Sequence, residues 1–163
     1  MMDGEIERTF IALKPDAVQR GITGELLTRF ERAGLRIAAL KMVQATEDVL
    51  QEHYAEHVDK DFYEGLAEFM KDGPVIAGVL EGVEAVAVVR KLVGATEPYE
   101  AAPGTIRGDF THMSMEHADE RGKAVKNVVH ASATPEEAED EIDIWFDEEE
   151  IHDYERVDDY HIS

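Results

Sequence analysis

The sequence predicts an α+β fold: a four-stranded antiparallel sheet of ferredoxin-like topology with helices packed on one face, plus a helical-hairpin insert. Three observations carry this expectation. Short apolar runs of strand length recur along the chain, bounded by glycine and proline punctuation. Segments with apolar residues at helical spacing alternate with them. In order they read β-α-β, two further helices, then β-α-β-α. The 163 residues suffice for one domain with a real core.

Thr9 to Leu13 is short and apolar and stops at Lys14-Pro15-Asp16, a strand closed by a proline turn. From Gly24 onward, Leu26, Leu27, Phe30 and Ala33 fall on one helical face, with Gly34 as the C-terminal stop. Leu35 to Val43 reads as the second strand. Thr46 ahead of Glu47 and Asp48 opens a helix whose positive end favours acids, and this helix is expected to carry His53, Tyr54 and His57. The next helix has Phe62, Leu66, Phe69 and Met70 at helical spacing and closes at Gly73-Pro74. These two helices form the insert.

Val75 to Leu80 is the third strand. Val83 to Val93 is rich in valine, yet its length and the spacing of Ala85, Val86, Val89, Leu92 and Val93 predict a helix. Ala95 to Lys126 lacks periodicity and is expected to be a long loop, a class that is usually functional or disordered. Val128 and Val129 mark the last strand. Thr134, Pro135 and Glu137 then write a helix start as cap, first helical residue and capping-box partner, with Ala138, Ile142 and Trp145 as the core stripe. A single domain is expected over residues 1–147, followed by an acidic C-terminal extension over 148–163 that lies on the surface or on a neighbour.

Charge narrows the function classes. Acids outnumber bases 37 to 16, a net charge of −21, while 44% of residues are hydrophobic, so the acids belong on the surface of a folded body. Fourteen of the acids and one base, Arg156, fall in residues 134–163. Such a surface repels phosphate backbones and anionic lipids, so no nucleic-acid or membrane partner is expected. It suits a saline cytoplasm, because at 1 M salt the Debye length falls to about 3 Å, and a halophilic source is expected. The absence of cysteine excludes disulfides and thiolate chemistry. Met1 to Glu5 lacks a secretory signal pattern, and no apolar run approaches membrane-spanning length, so the expected location is the cytoplasm.

Neither glycine-rich nucleotide-binding loop pattern is present, so any phosphates must be held by side chains. Lys14, Arg90 and Arg107 lie at or near element ends and are the candidates; the plainer reading is that they pair with surplus acids. Glu141 is the most informative acid. On a helix it lies about 40° from Trp145 and about 60° from Ala138, at the edge of the buried stripe, where a carboxylate needs a partner. His130, in the adjacent strand, is a suitable one. A carboxylate accepting from one ring nitrogen fixes the tautomer and leaves the other free as a nucleophile. A structural His-Glu pair is the alternative. Phe62 fits an apolar core stripe by spacing, and with Tyr54 it is also a candidate to touch a planar ligand. His53 and His57 stand at metal-ligand spacing, but no third ligand follows.

Taken together, Thr9 to Asp16, Arg20-Gly21, His53 to Phe62, Gly73 to Val75, Gly94 to Thr96, Ala102 to Phe110, Asn127 to Ser132 and Glu141 to Phe146 resemble, in order, nucleoside diphosphate kinases. The resemblance spans most of the chain. It implies reversible, ping-pong transfer of the terminal phosphate between nucleoside tri- and diphosphates through a phosphohistidine at His130, with Glu141 orienting it and Ser132 beside the pair. It further implies that Lys14 and Asn127 contact the ribose hydroxyls and the transferred phosphate. Tyr54, His57, Arg90, Thr96 and Arg107 match the phosphate-binding cluster, and Phe62 the aromatic under the base. Mg2+ carried by the nucleotide phosphates and a homo-oligomer, a hexamer built from dimers or a dimer, are also implied. The chain departs from the family pattern at Asp61, at Ala133 and in the longer run Thr111 to Lys126. The rival reading is a nucleotide-binding regulatory module on the same fold. An RNA-binding domain of this topology would need exposed aromatics among bases, which the chain lacks.

Overall fold

The computed structural model describes residues 6–162; Met1 to Glu5, read above for a secretory signal, lie outside the described residues. β1 (Ile6–Leu13), β2 (Arg36–Val43), β3 (Val75–Val83) and β4 (Val129–Ala131) form one antiparallel sheet in the spatial order β2-β3-β1-β4. The described chain also holds helices α1 (Pro15–Gln19), α2 (Thr23–Arg32), α3 (Glu47–His53), α4 (Tyr63–Met70), α5 (Ala85–Val93), α6 (Ile106–Phe110), α7 (Met115–Glu120), α8 (Pro135–Trp145) and α9 (Asp159–Ile162), with short 3-10 turns at Pro98–Glu100 and Glu148–Glu150. This is the ferredoxin-like arrangement, with α3 and α4 as the insert.

The helices cover both faces of the sheet rather than one. The cause lies in β1, whose run from Thr9 to Leu13 is buried at every residue instead of alternating. Phe10 and Ala12 join Leu50, Tyr63, Met70, Ile142 and Trp145 on the α3, α4 and α8 side. Ile11 and Leu13 join Leu26, Phe30, Val89 and Ile106 on the other. A central strand buried on both sides fixes register, since a one-residue slip would exchange the two cores.

Several boundaries differ from expectation for local reasons. α3 stops at His53 and Tyr54 is its C-cap, so His57 lies in the turns that follow and not on the helix. α4 begins at Tyr63, which is buried, whereas Phe62 is 54% exposed; the core reading of Phe62 fails by one position. β3 continues to Val83, and Glu84, in a left-handed conformation at φ 52°, turns the chain into α5. The run expected as a loop contains α6 and α7, capped by the Thr105 and Ser114 hydroxyls. Thr134 Oγ1 accepts the Glu137 N–H at 3.1 Å, as its position predicts. The Glu137 carboxyl does not close the box on Thr134; it interacts instead with Glu141.

Beyond Phe146 the acidic segment folds back along the β2 edge. Glu150 accepts from Lys41 at 3.0 Å, the His152 N–H donates to the Ala38 carbonyl at 2.8 Å, and the Tyr154 hydroxyl donates to the Ile37 carbonyl at 2.5 Å. Arg156 donates to the Glu31 and Leu35 carbonyls, both at 2.9 Å, where the negative end of α2 favours a cation. Ile162 then sits over Gly34, whose φ of +94° and lack of a Cβ leave the space it fills. Gly34→Ala is expected to cost about 1 kcal/mol from the left-handed backbone, about 2–4 °C in Tm. It is also expected to displace Ile162, so that limited proteolysis clips the C-terminal segment before the body of the protein.

Candidate active site

The site is built on the turn that enters β4. The Val129 N–H donates back to the Asn127 carbonyl at 2.8 Å, closing a γ-turn around Val128, whose φ is +64°. That conformation is costly for a β-branched residue, on the order of 1–3 kcal/mol. Neighbouring groups hold it. The Val128 N–H donates to Asp16 Oδ2 at 3.1 Å, and the Val128 carbonyl accepts the Lys14 N–H at 2.8 Å. Arg107 brackets the turn, donating to the Asn127 carbonyl at 3.2 Å and the Val129 carbonyl at 2.5 Å. Its remaining bond, 3.1 Å to the Gly94 carbonyl, depends on a residue at φ +90° where a Cβ would strike Thr105.

His130 follows on β4, paired with Ala12 of β1. Its Nε2–H faces both oxygens of Glu141, at 3.0 and 2.9 Å. Ser132 Oγ donates to Glu141 Oε1 at 2.6 Å. Glu141 is 4% exposed, consistent with its place at the edge of the α8 stripe. With Nε2 committed, the lone pair lies on Nδ1, which takes part in no hydrogen bond among the described residues; 18% of the His130 side chain is accessible, so the ring is not sealed.

Three cations converge here. Lys14 Nζ donates to Asn127 Oδ1 at 2.7 Å, and Asn127 Nδ2 donates to the Thr96 carbonyl at 2.9 Å. Arg90 donates to the Ala131 carbonyl at 3.1 Å. Burial, then Arg107, pushes Lys14 down to about 8. Burial, then Arg90, pushes Arg107 down to about 10. Burial, then the charge of Lys14 with Arg107 and Arg90 adding, pushes His130 down to about 3, so its imidazole is neutral at physiological pH. A neutral, aimed ring nitrogen beneath crowded cations suits attack on a group that carries several negative charges.

The other sequence candidates form a second group. His57 and Phe62 lie with ring centroids 5.3 Å apart on the turns between α3 and α4, with Lys60 Nζ 3.1 Å from His57 Nδ1. Tyr54 is buried and meets the rest through His53, at 4.6 Å between centroids. Thr96 contributes its carbonyl to Asn127, while its side chain is exposed. Sequence reasoning missed Asp16 as the anchor of the turn and His53 as a neighbour of His130. Asp16 carried no signal beyond its proline turn; His53 carried one, a histidine ending a helix whose other end is capped.

His53, His130 and Glu141 form the one three-residue group among the described residues with metal-ligating atoms all within 4.8 Å. Their chemistry does not suit an ion. His130 is already in direct hydrogen bond with Glu141, and the Trp145 indole N–H donates to His53 Nδ1 at 3.0 Å, so the proton of His53 sits on Nε2, the atom a metal would need.

A nucleoside diphosphate kinase family profile matches residues 7–151. The chain is 51% identical over 146 residues to a nucleoside diphosphate kinase of Thermus thermophilus, covering 90% of this chain and 99% of that one. Among solved structures, a Borrelia burgdorferi nucleoside-diphosphate kinase, determined as a transition-state mimic with bound vanadate and ADP, matches with a TM-score of 0.92 and 43% identity over 96% of each chain. A halophilic nucleoside diphosphate kinase from Halobacterium salinarum in complex with CDP matches with a TM-score of 0.87 and 42% identity, covering 98% and 99% of the two chains. The chain belongs to the nucleoside diphosphate kinase family. Its activity is transfer of phosphate between nucleotides, a reaction that draws on a divalent metal ion. No helix of the described residues is long and apolar enough to cross a membrane.

Lys14 sets a pH dependence. In the free site it titrates near 8, and a bound phosphate favours its charged form. Nucleotide affinity is therefore expected to fall as pH rises through about 8, by at most about tenfold per pH unit. Calorimetry in mildly alkaline buffers of different ionisation enthalpy should register proton uptake on binding, and Lys14→Arg, which cannot deprotonate, should abolish it.

Proposed function

We propose that His130 is the residue phosphorylated during the exchange and that the reaction is ping-pong. Nδ1 attacks the terminal phosphorus of a nucleoside triphosphate, mainly ATP, in line with the departing diphosphate. The Nδ1–P bond forms, the bond from phosphorus to the bridging oxygen breaks, and that oxygen leaves with its electron pair on the nucleoside diphosphate. The Nε2–H proton stays on the ring, facing Glu141, whose charge offsets the cation developing on the imidazole. A second nucleoside diphosphate then reverses the step. The single observation carrying this reading is that Glu141 occupies Nε2 while Nδ1 of the neutral ring is uncommitted.

The supporting roles follow from chemistry. Lys14, Arg90 and Arg107 neutralise the phosphate oxygens, with Tyr54, His57 and Thr96 completing the phosphate-binding cluster. Asn127 positions Lys14 and contacts the sugar or the transferred group, Ser132 holds Glu141, and the exposed ring of Phe62 stacks on the base, a contact tolerant of base identity. Mg2+ arrives with the nucleotide as part of the substrate, since it prefers phosphate oxygens and water and the site's own polar groups are mainly cationic. When bound it spreads charge over the terminal phosphates.

We also take the protein to be a cytoplasmic homo-oligomer, a dimer or a hexamer built from dimers, from a halophilic source. Support comes from Leu40 and Met42, 45% and 60% exposed on the edge strand β2, from the net charge of −21, and from the likeness to the halophilic Halobacterium enzyme. The domain is taken as residues 1–147 with 148–163 as an acidic extension. Sedimentation is expected to show assembly strengthening as KCl rises from about 0.1 to about 2 M, because repulsion between the acidic subunits is screened over that range.

Incubation with labelled ATP and magnesium should give an acid-labile, base-stable phosphoprotein that is consumed on adding a different nucleoside diphosphate. Full transfer by His130→Ala would overturn the assignment, and a chain that binds nucleotide but forms no phosphoprotein would be a regulatory module instead. Glu141→Gln is expected to slow phosphorylation by about 10–100-fold, the weight of a hydrogen bond to a charged group, with nucleotide affinity within about threefold. Equal losses in both would make the pair purely structural.

A further inference from the structure

His53 is the last residue of α3, and its side chain is 1% exposed, so it reaches neither solvent nor nucleotide. It is nevertheless built into the catalytic cluster. Its ring meets the His130 ring edge-on, with centroids 4.6 Å apart at 76°, and Phe10, Tyr54 and Trp145 enclose its remaining sides. The Trp145 indole N–H donates to Nδ1 at 3.0 Å. Indole has no acceptor, so Nδ1 must hold a lone pair and the proton must be on Nε2. That N–H lies 3.6 Å from Glu141 Oε2. The distance is too long for a full hydrogen bond, but within a buried, water-poor cluster a dipole this close to a carboxylate is a strong restraint.

The two oxygens of Glu141 are then held differently. His130 faces both, at 3.0 and 2.9 Å, but Oε1 also takes the Ser132 hydroxyl at 2.6 Å, whereas Oε2 also faces the His53 dipole. Beside the His130 contact that both oxygens share, Oε1 has the Ser132 hydroxyl as its own restraint and Oε2 has His53. A second donor at Oε2 keeps both oxygens astride the His130 Nε2–H, and this sets the direction in which the opposite ring nitrogen points.

We propose that His53 is a positioning residue for phosphoryl transfer: Trp145 fixes it as the Nε2–H tautomer, it anchors Glu141 Oε2, and through Glu141 it aims His130 Nδ1 at the terminal phosphate. The proposal rests on the reading of His130 as the phosphorylated residue. Burial, with the neighbouring His130 ring as second cause, pushes His53 down to about 3, so it acts as a neutral dipole. No proton leaves it during the reaction; the bonds made and broken are those at His130 Nδ1 and the terminal phosphorus alone.

The test is pre-steady-state phosphorylation of the full chain by ATP and magnesium, with wild type and His130→Ala in the same series, so that a mistaken nucleophile is seen separately. His53→Phe, which keeps a ring but no donor, is expected to slow phosphorylation at least about tenfold while the nucleotide dissociation constant stays within about threefold. His53→Gln, whose amide N–H can occupy the place of Nε2–H, is expected to recover most of the rate. Imidazole 15N spectra of the wild-type protein should show His53 protonated at Nε2 only, and Trp145→Phe should release that restriction. Full speed in His53→Phe, equal loss in the Phe and Gln variants, or a wild-type His53 protonated at Nδ1 would each overturn the proposal. Where His53→Phe fails to fold, the wild-type tautomer decides.

Discussion

The site depends on one buried carboxylate. Glu141 faces the core edge of α8, almost without access to water, and only its surroundings make that tolerable. Ser132, His130 and His53 each turn a donor toward it, and none of the three is charged in the resting state. Burial also raises the carboxyl above the ordinary range, opposed by the neighbouring His53 ring and by the Ser132 hydroxyl. The result is an acid that orients a base without neutralising it. A stronger partner, such as an arginine, would hold the carboxylate more firmly and take it away from the imidazole.

The cations have two duties that explain their burial. Arg107 is 3% exposed and uses its donors on three backbone carbonyls, two of them on either side of the strained Val128. Lys14 contributes its backbone N–H to the same turn and its ammonium to Asn127. The clustered cations thus also keep the backbone beside His130 in a conformation it would otherwise leave. The arrangement concentrates positive charge at one point of a chain whose surface is overwhelmingly acidic, and the buried setting protects that local field from the rest.

What the sequence made legible were features with a local cause. Thr134 and Pro135 favour a helix start, Gly34 ends a helix cheaply, and Glu141 betrays itself by its angle on α8. The misreadings are cases where tertiary contacts decided. His53 and His57 look equivalent at helical spacing, but α3 ends between them, so one enters the core and the other faces out. Phe62 and Tyr63 compete for the same apolar stripe, and the helix start favours Tyr63 by a single residue. Val128 carries no sign of its left-handed backbone, since a valine there is disfavoured by its own torsions and held only by Asp16, Lys14 and Arg107 from distant segments. The two-sided burial of β1 is written in its unbroken apolar run, and the expectation of helices on one face gives that run too little weight.

The short strand β4 has a consequence for how the protein is made. β1 lies at the start of the chain, yet its far edge is completed only by Ile11, Ala12 and Leu13 pairing with Ala131, His130 and Val129. During synthesis, the pairing residues of β1, β2 and β3 have all emerged while that edge is still empty, and α8, which covers one face of β1, follows only after β4. The long loop that β4 must close makes its docking a late event. His130, Glu141 and Trp145 all arrive with this last quarter of the chain, so the site is assembled by the same late step that covers one face of β1.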